Sequence, residues 1–289
     1  MDTSINNRTT RLSRDPMYYL AQEMRIRNFS PKTVKSYLYY NKEMLRFANK
    51  FANEINKQDI RDYLDFLVSY KKSASTLNVA INALKFYYQG ILHRKFFDFE
   101  MGIKRPKEPK KLPVVLSKEE VVKMIEATDN IKHKLVIQIL YCSGLRISEL
   151  VDLKINDIDF QRKSVMVKSG KGKKDRITII SKIVLDNVSK YLAEYRPLVY
   201  LFESYKAGNK INVRSAQKIV TDSAVRAGIA KEVSAHSLRH TFATHLLEDN
   251  VNLRYIQSLL GHARLETTQI YTKVAVNKFN EIKDLLEYE

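Results

Sequence analysis

The chain has 289 residues, 44% of them hydrophobic and 28% charged, a globular balance whose length favours two domains over one. Lysine and arginine number 50 against 32 acids, a formal net charge of +18, which points to a polyanionic partner because each neutralised phosphate releases condensed counterions. A single cysteine, Cys142, excludes an internal disulfide or a thiolate zinc cluster and suits a reducing cytoplasm.

Other readings of the composition stay open. The bases are interspersed with acids, so a cationic surface kept for solubility is the alternative to a polyanion site. The longest apolar stretches, such as 135–140, fall far short of the roughly 20 residues of a membrane span. No metal or cofactor is expected.

In chain order, the first 16 residues are polar and carry Arg8, Arg11 and Arg14. Asp2 and Asp15 favour a loose basic tail over a transit peptide. Helices are expected over 16–27, 30–51, 57–70 and 74–92. The second opens on Ser30-Pro31, and Val34, Tyr37, Leu38, Met44, Leu45 and Phe47 recur at helical spacing. These form a small all-helical domain, 1–112, that ends in a basic linker. The stretch GIKRPKEPKKLPVVL carries three prolines and five bases, which no helix or central strand survives. Two basic lobes joined by a basic strap suggest a clamp on a duplex, although a plain linker would read the same way.

The second domain, 113–289, begins with a capping box from Ser117 to Glu120 and helices near 118–127 and 131–142. β-branched alternation predicts strands at 157–160, 164–168 and 176–180, with Gly170 and Gly172 in the turn between the last two. Helices follow near 181–195, 214–227, 237–249, 252–260 and 276–287. The domain therefore reads as mostly α with one small antiparallel sheet.

Four of the six histidines, His236, His240, His245 and His262, fall within 27 residues. His236 and His240 share a helical face as a zinc pair would, but no glutamate of an HExxH motif lies between them, and Arg239 would repel a cation. An arginine and an imidazole on one turn suit an anion, although packing or capping histidines would look the same. Arg146 follows Gly144, which can end one helix, and precedes the start of another. An arginine is poorly placed at a helix start, so either a bound anion or pairing with Glu149 would rationalise it. Lys171, in SGKGKKDR, sits at a hairpin tip that could enter a groove; a solvated lysine-rich turn is the plain alternative, and the P-loop likeness is superficial.

The segments LYCSGLRISEL, GKGKKDR, AHSLRHTFATHLL and LLGHARLETTQIYT occur in one order. That order resembles the tyrosine recombinases (integrases), and among them most nearly the Xer recombinases of bacteria and archaea. The resemblance covers the whole of 113–289, and the N-terminal third is similar to the family's core DNA-binding, SAM-like domain.

It implies a mainly α protein that cuts and rejoins DNA through a 3′-phosphotyrosine. It implies Arg146 and Arg239 as phosphate clamps, His262 as a further donor, Lys171 as general acid, His236 as acid/base and Tyr271 as nucleophile. The implied partners are paired double-stranded DNA sites, further copies of the chain in a tetramer on synapsed DNA, and a DNA translocase or other accessory protein, in a cytoplasmic, nucleoid-associated setting. The terminal segment, with Phe279, Ile282 and Leu286 on one stripe, would dock on a neighbouring protomer or on its own domain.

Departures from the family pattern are Lys173 where asparagine is frequent, the bulkier Arg264-Leu265-Glu266, and Lys273 in place of a histidine. Chromosome-dimer resolution is the first expectation and mobile-element integration the second. A type IB topoisomerase or a non-catalytic DNA-binding protein are the readings from other classes.

Overall fold

Short polar residues set where the N-terminal helices start. In a computed structural model, which describes residues 16–94, 106, 112–168, 175–262 and 264–273, Ser30 Oγ accepts the Thr33 N–H at 3.1 Å and Pro31 opens the helix. The chain divides into two compact units, Met1–Lys110 and Lys111–Glu289.

The first unit contains α1 (Pro16–Ile26), α2 (Pro31–Ala48), α3 (Lys57–Ser69) and α4 (Ala74–Tyr88). Asn56 and Asp59 form a capping box at the start of α3, and Ser73 caps α4. α2 ends three residues before the sequence pattern does, because Asn49 adopts φ 49°, a left-handed stop that asparagine tolerates better than most residues. Phe51 is consequently left outside the helix and exposed.

The core of this unit gathers Met24, Met44, Ile60, Tyr63, Leu84 and Tyr88. Buried Asn41 crosses from α2 to α4, with Nδ2 donating to the carbonyls of Tyr37 at 2.9 Å and Ala83 at 3.1 Å.

The second unit is built round a helix whose middle turns are buried on every side. Its elements run α5 (Lys118–Glu126), α6 (Ile131–Ser143), α7 (Ile147–Asp152), β1 (Ile158–Asp159), β2 (Ser164–Val167), β3 (Arg176–Ile179), α8 (Lys182–Tyr195), α9 (Val213–Arg226), α10 (Ala235–Glu248) and α11 (Leu253–Leu260). Two 3₁₀ turns follow, Leu265–Thr267 and Gln269–Lys273. In α6 every residue from Leu135 to Leu140 is buried, which makes this run a core helix contacted by α5, α8, α9 and α10. No helix among the described residues is long and apolar enough to cross a membrane.

The three strands form one antiparallel sheet in the order β1-β2-β3, with Val167 opposite Arg176. Thr178 Oγ1 donates to the Ser143 carbonyl at 2.8 Å and fixes the sheet against the C-terminus of α6. The basic tail, most of the linker, the hairpin tip and the terminal helix of the sequence reading lie outside the described residues.

Gly144 joins these elements. It ends α6 at φ 59°, and a Cβ there would lie 2.3 Å from Phe242 Cδ1 on α10. Gly144→Ala should therefore destabilise the protein by about 3 kcal/mol, summing left-handed backbone strain and overpacking. Urea unfolding at constant m-value would measure the loss, and a cost below about 0.5 kcal/mol would contradict this packing.

Candidate active site

Arg146 is the N-cap of α7, where the helix dipole opposes its charge, and the first turn of the helix supplies the remedy. Glu149 Oε2 accepts the Arg146 N–H at 2.8 Å, and Oε1 accepts from Nη1 at 2.7 Å. Arg176, the first residue of β3, donates to the same carboxylate through Nη1 and Nη2 at 2.8 and 2.7 Å, and its Nε donates to the Leu259 carbonyl at 2.8 Å. Arg239 Nη1 lies 3.9 Å from Glu149 Oε2. One buried carboxylate thus faces three guanidinium groups. Burial works against its ionisation, but the hydrogen bonds from Arg176 and Arg146 prevail and hold its pKa at about 2.

Arg239 projects from α10 and is 1% exposed. It donates through Nη1 to the Gly144 carbonyl and through Nη2 to the Leu260 carbonyl, while Nε is buried without a hydrogen-bond partner among the described residues. Nη2 also donates to His262 Nε2 at 3.2 Å. His262 Nε2 is then the acceptor nitrogen, and Nδ1–H donates to Thr268 Oγ1 at 2.9 Å. Burial and then the neighbouring arginines press the His262 pKa down to about 3. His262 follows Gly261, which ends α11 at φ 63°; a Cβ on that glycine would meet Arg176 Cδ at 2.6 Å.

Tyr271 sits on the second 3₁₀ turn, 1% exposed, with its ring among Phe242, Ile256 and Leu260. Its hydroxyl lies 3.2 Å from His240 Nδ1. Burial raises the phenol pKa, opposed by Arg239 and Arg146.

Five of the six residues singled out in the sequence, Arg146, His236, Arg239, His262 and Tyr271, line one cavity of about 690 Å³, together with His240. Lys171 lies outside the described residues. His245 is not in this group: its Nε2–H donates to the Leu116 carbonyl at 3.0 Å and Nδ1 accepts from Tyr141 at 2.9 Å, a structural histidine. Arg264 and Glu266, which depart from the expected small residues, form part of the cavity wall. Sequence reasoning did not find Arg176, whose role depends on long-range packing. It offered Glu149 only as one partner for Arg146, and the spacing of three in RISE was the available signal.

A two-unit α-rich fold with arginines, histidines and a buried tyrosine round one cavity defines a class. The chain belongs to the phage integrase family, the tyrosine recombinases: residues 114–278 match that family and residues 18–98 its N-terminal SAM-like domain. It is accordingly an enzyme of the site-specific recombinase type.

Among its relatives, the tyrosine recombinase XerA of Pyrococcus horikoshii is 37% identical over 276 residues, 92% of this chain and 92% of that one. A protein of Sinorhizobium fredii named as an integrase/recombinase is 38% identical over 260 residues, 90% of this chain and 84% of that one. A solved XerH site-specific recombinase, bound to a palindromic difH substrate in a post-cleavage complex, is 25% identical and superposes with a TM-score of 0.70, covering 88% of this chain and 80% of that one.

Glu149→Gln should cost about 3 kcal/mol at pH 7, from a carboxyl pKa lowered from 4.5 to about 2. A depressed folded-state pKa contributes stability that is complete above the unfolded value and is lost as pH falls through the folded one. The gap between wild type and variant should therefore close between pH 4.5 and 2, measured by chemical unfolding at a series of pH values. A gap independent of pH across that window would count against the ionic role.

Proposed function

We propose that the chain cuts and rejoins double-stranded DNA at paired specific sites through a 3′-phosphotyrosine on Tyr271, in the manner of Xer-type chromosome-dimer resolution. The observation that carries this reading is the convergence of Arg146, His236, Arg239, His262 and Tyr271 on one cavity. Arg239 Nε, without a partner among the described residues, adds a donor that an oxyanion would satisfy.

Displacement at a phosphodiester builds negative charge on the non-bridging oxygens, and fixed guanidinium donors stabilise it where it develops. Arg146 and Arg239 clamp the phosphate. His262 joins them by turning an N–H toward it once Arg239 engages the phosphate rather than the imidazole. His236, on the cavity wall, acts as an acid/base group.

Tyr271 Oη attacks phosphorus as the bond to the 5′ oxygen breaks, and Lys171 protonates that oxygen. The aryl phosphodiester conserves the energy of the broken bond, so a 5′-hydroxyl from another strand reseals it without ATP. Four protomers on two synapsed sites complete the exchange. Nucleoid-associated cytoplasmic action and activation by a DNA translocase or accessory protein belong to the same proposal. Integration or excision of a mobile element is the second reading, favoured by the similarity to the Sinorhizobium integrase/recombinase.

Nicked suicide DNA substrates, incubated without metal or ATP, should give a denaturation-resistant adduct with wild type and none with Tyr271→Phe; an adduct retained by the variant would exclude Tyr271. Arg146→Ala and Arg239→Ala should bind DNA within a few-fold of wild type yet cleave it about 100- to 1,000-fold more slowly. Normal cleavage on saturating DNA would rule out the clamp.

For Lys171→Ala, a 5′-bridging phosphorothiolate, whose leaving group needs no proton, should restore cleavage. The acid assignment fails if the loss is equal on both substrates.

A further inference from the structure

The proposed chemistry requires the phenol of Tyr271 to lose a proton inside a cavity ringed by guanidinium groups, so the group nearest its oxygen decides where that proton goes. Tyr271 Oη has His240 Nδ1 at 3.2 Å. His236 instead makes an edge-to-face contact with the His240 ring, centroids 4.4 Å apart and planes at 74°, and no hydrogen bond joins it to Tyr271 among the described residues. The two imidazoles are one helical turn apart on α10, so a single helix positions both, but only the second reaches the nucleophile.

We propose that His240 is a catalytic residue that takes the Oη proton of Tyr271 through Nδ1 during DNA cleavage and returns it during rejoining. The proposal rests on the nucleophile reading above and deepens it.

Four observations support it beyond distance. The Tyr271 ring is held in the core with Phe242 and Leu260, and its centroid lies 5.4 Å from that of His240, so the hydroxyl and the imidazole are not free to drift apart. His240 belongs to the cavity wall that the phosphate would share.

Burial, then His236 and Arg239, hold the His240 pKa at about 4, so at neutral pH it is uncharged and has a lone pair to offer. The other charged or titratable groups round the cavity are Arg146, His262, Arg264, Glu266 and Tyr271 itself. An entering phosphate brings negative charge that offsets these cations and makes the imidazolium easier to form as the transfer occurs.

His262, the other imidazole beside the Tyr271 ring, has both nitrogens engaged, one with Arg239 and one with Thr268. That leaves His240 as the imidazole in hydrogen-bond reach of the oxygen.

The step balances. The Oη–P bond forms while the bond from phosphorus to the 5′ oxygen breaks; the Oη proton moves to His240 Nδ1, giving an imidazolium, and a separate acid protonates the departing 5′ oxygen. In rejoining, the 5′-hydroxyl attacks and gives its proton back to that acid, while Tyr271 Oη leaves and recovers its proton from Nδ1–H.

The test uses the full chain on a nicked suicide substrate at saturating DNA, reading covalent adduct per turnover. His240→Ala and His240→Asn, the latter filling the space without accepting a proton, should bind DNA as wild type does and form adduct roughly 100-fold or more slowly. Replacing Tyr271 by 3,5-difluorotyrosine, a more acidic phenol of nearly the same shape, should then recover at least ~10-fold of the loss in the His240 variants, a larger change than the same replacement makes where His240 is present.

Rescue is a readout that a merely structural role for His240 would not give. Adduct formation within a few-fold of wild type in both variants, absence of fluorotyrosine rescue, or loss of DNA binding in both would overturn the proposal. Absence of adduct from wild type itself would overturn the assignment of Tyr271 as nucleophile, and this proposal with it, which separates the two failures.

Discussion

The Glu149 carboxylate, with its side chain 5% exposed, holds Arg146 and Arg176 by direct hydrogen bonds and faces Arg239 at 3.9 Å. Without a counter-charge such a cluster would not assemble, since like charges ~6 Å apart repel by about 3 kcal/mol at an effective dielectric constant near 20. A buried ion cluster of this kind is weak grounds for stability in itself, because desolvation offsets most of the attraction. Its consequence here is positional. Each arginine comes from a different place in the chain: the start of α7, the first residue of β3 and the second turn of α10. One carboxylate ties all three elements together beside the cavity that Arg146 and Arg239 line.

The same electrostatics set the protonation state of the site before any substrate arrives. Three guanidinium groups meet one carboxylate, and His240 and His262 are driven to pKa values of about 4 and 3, burial first and neighbouring cations second. The cavity is therefore a cationic site walled by neutral imidazoles. An arriving anion would raise those pKa values, and it would also disfavour a free phenolate on Tyr271. On the proposed mechanism, proton loss from the phenol would therefore accompany formation of the bond to phosphorus rather than precede it, which places value on a neutral acceptor already in contact with the hydroxyl.

Local signals in the sequence carried a large share of this architecture. The caps at Ser30, Asn56, Ser117 and Ser234 are decided by residues three positions apart, and the helices they open begin within a residue or two of where the sequence puts them. The convergence of five site residues was legible only through motif order, because nothing local says that α7, α10 and the segment after α11 meet. Arg176 was out of reach for the same reason: in the sequence it is one more base, where a lysine-rich turn meets an expected strand. His240 was seen but not given a role, since a histidine at i+4 from another fits packing, capping and chemistry equally well until the partner of its Nδ1 is known. The end of α2 was overrun because apolar spacing continues to Phe51, while the stop depends on the backbone conformation of Asn49.

Arg176 adds a mechanical consequence to the electrostatic one. Its backbone pairs with Val167 at the base of the β2–β3 hairpin, while its side chain reaches Glu149 and the Leu259 carbonyl, and its methylene stem rests on Gly261 beside His262. The base of the hairpin in whose turn Lys171 lies in sequence is thus tied to the carboxylate that orients Arg146 and to the turn that presents His262. If the hairpin delivers the general acid and Arg146 clamps the phosphate, as proposed, Arg176 ties the hairpin to the carboxylate that orients the clamp. A register shift at β3 would be felt at Glu149 and at the turn before His262, which gives a physical reason for the glycine at 261: a larger residue would meet Arg176 Cδ and displace the side chain that couples them.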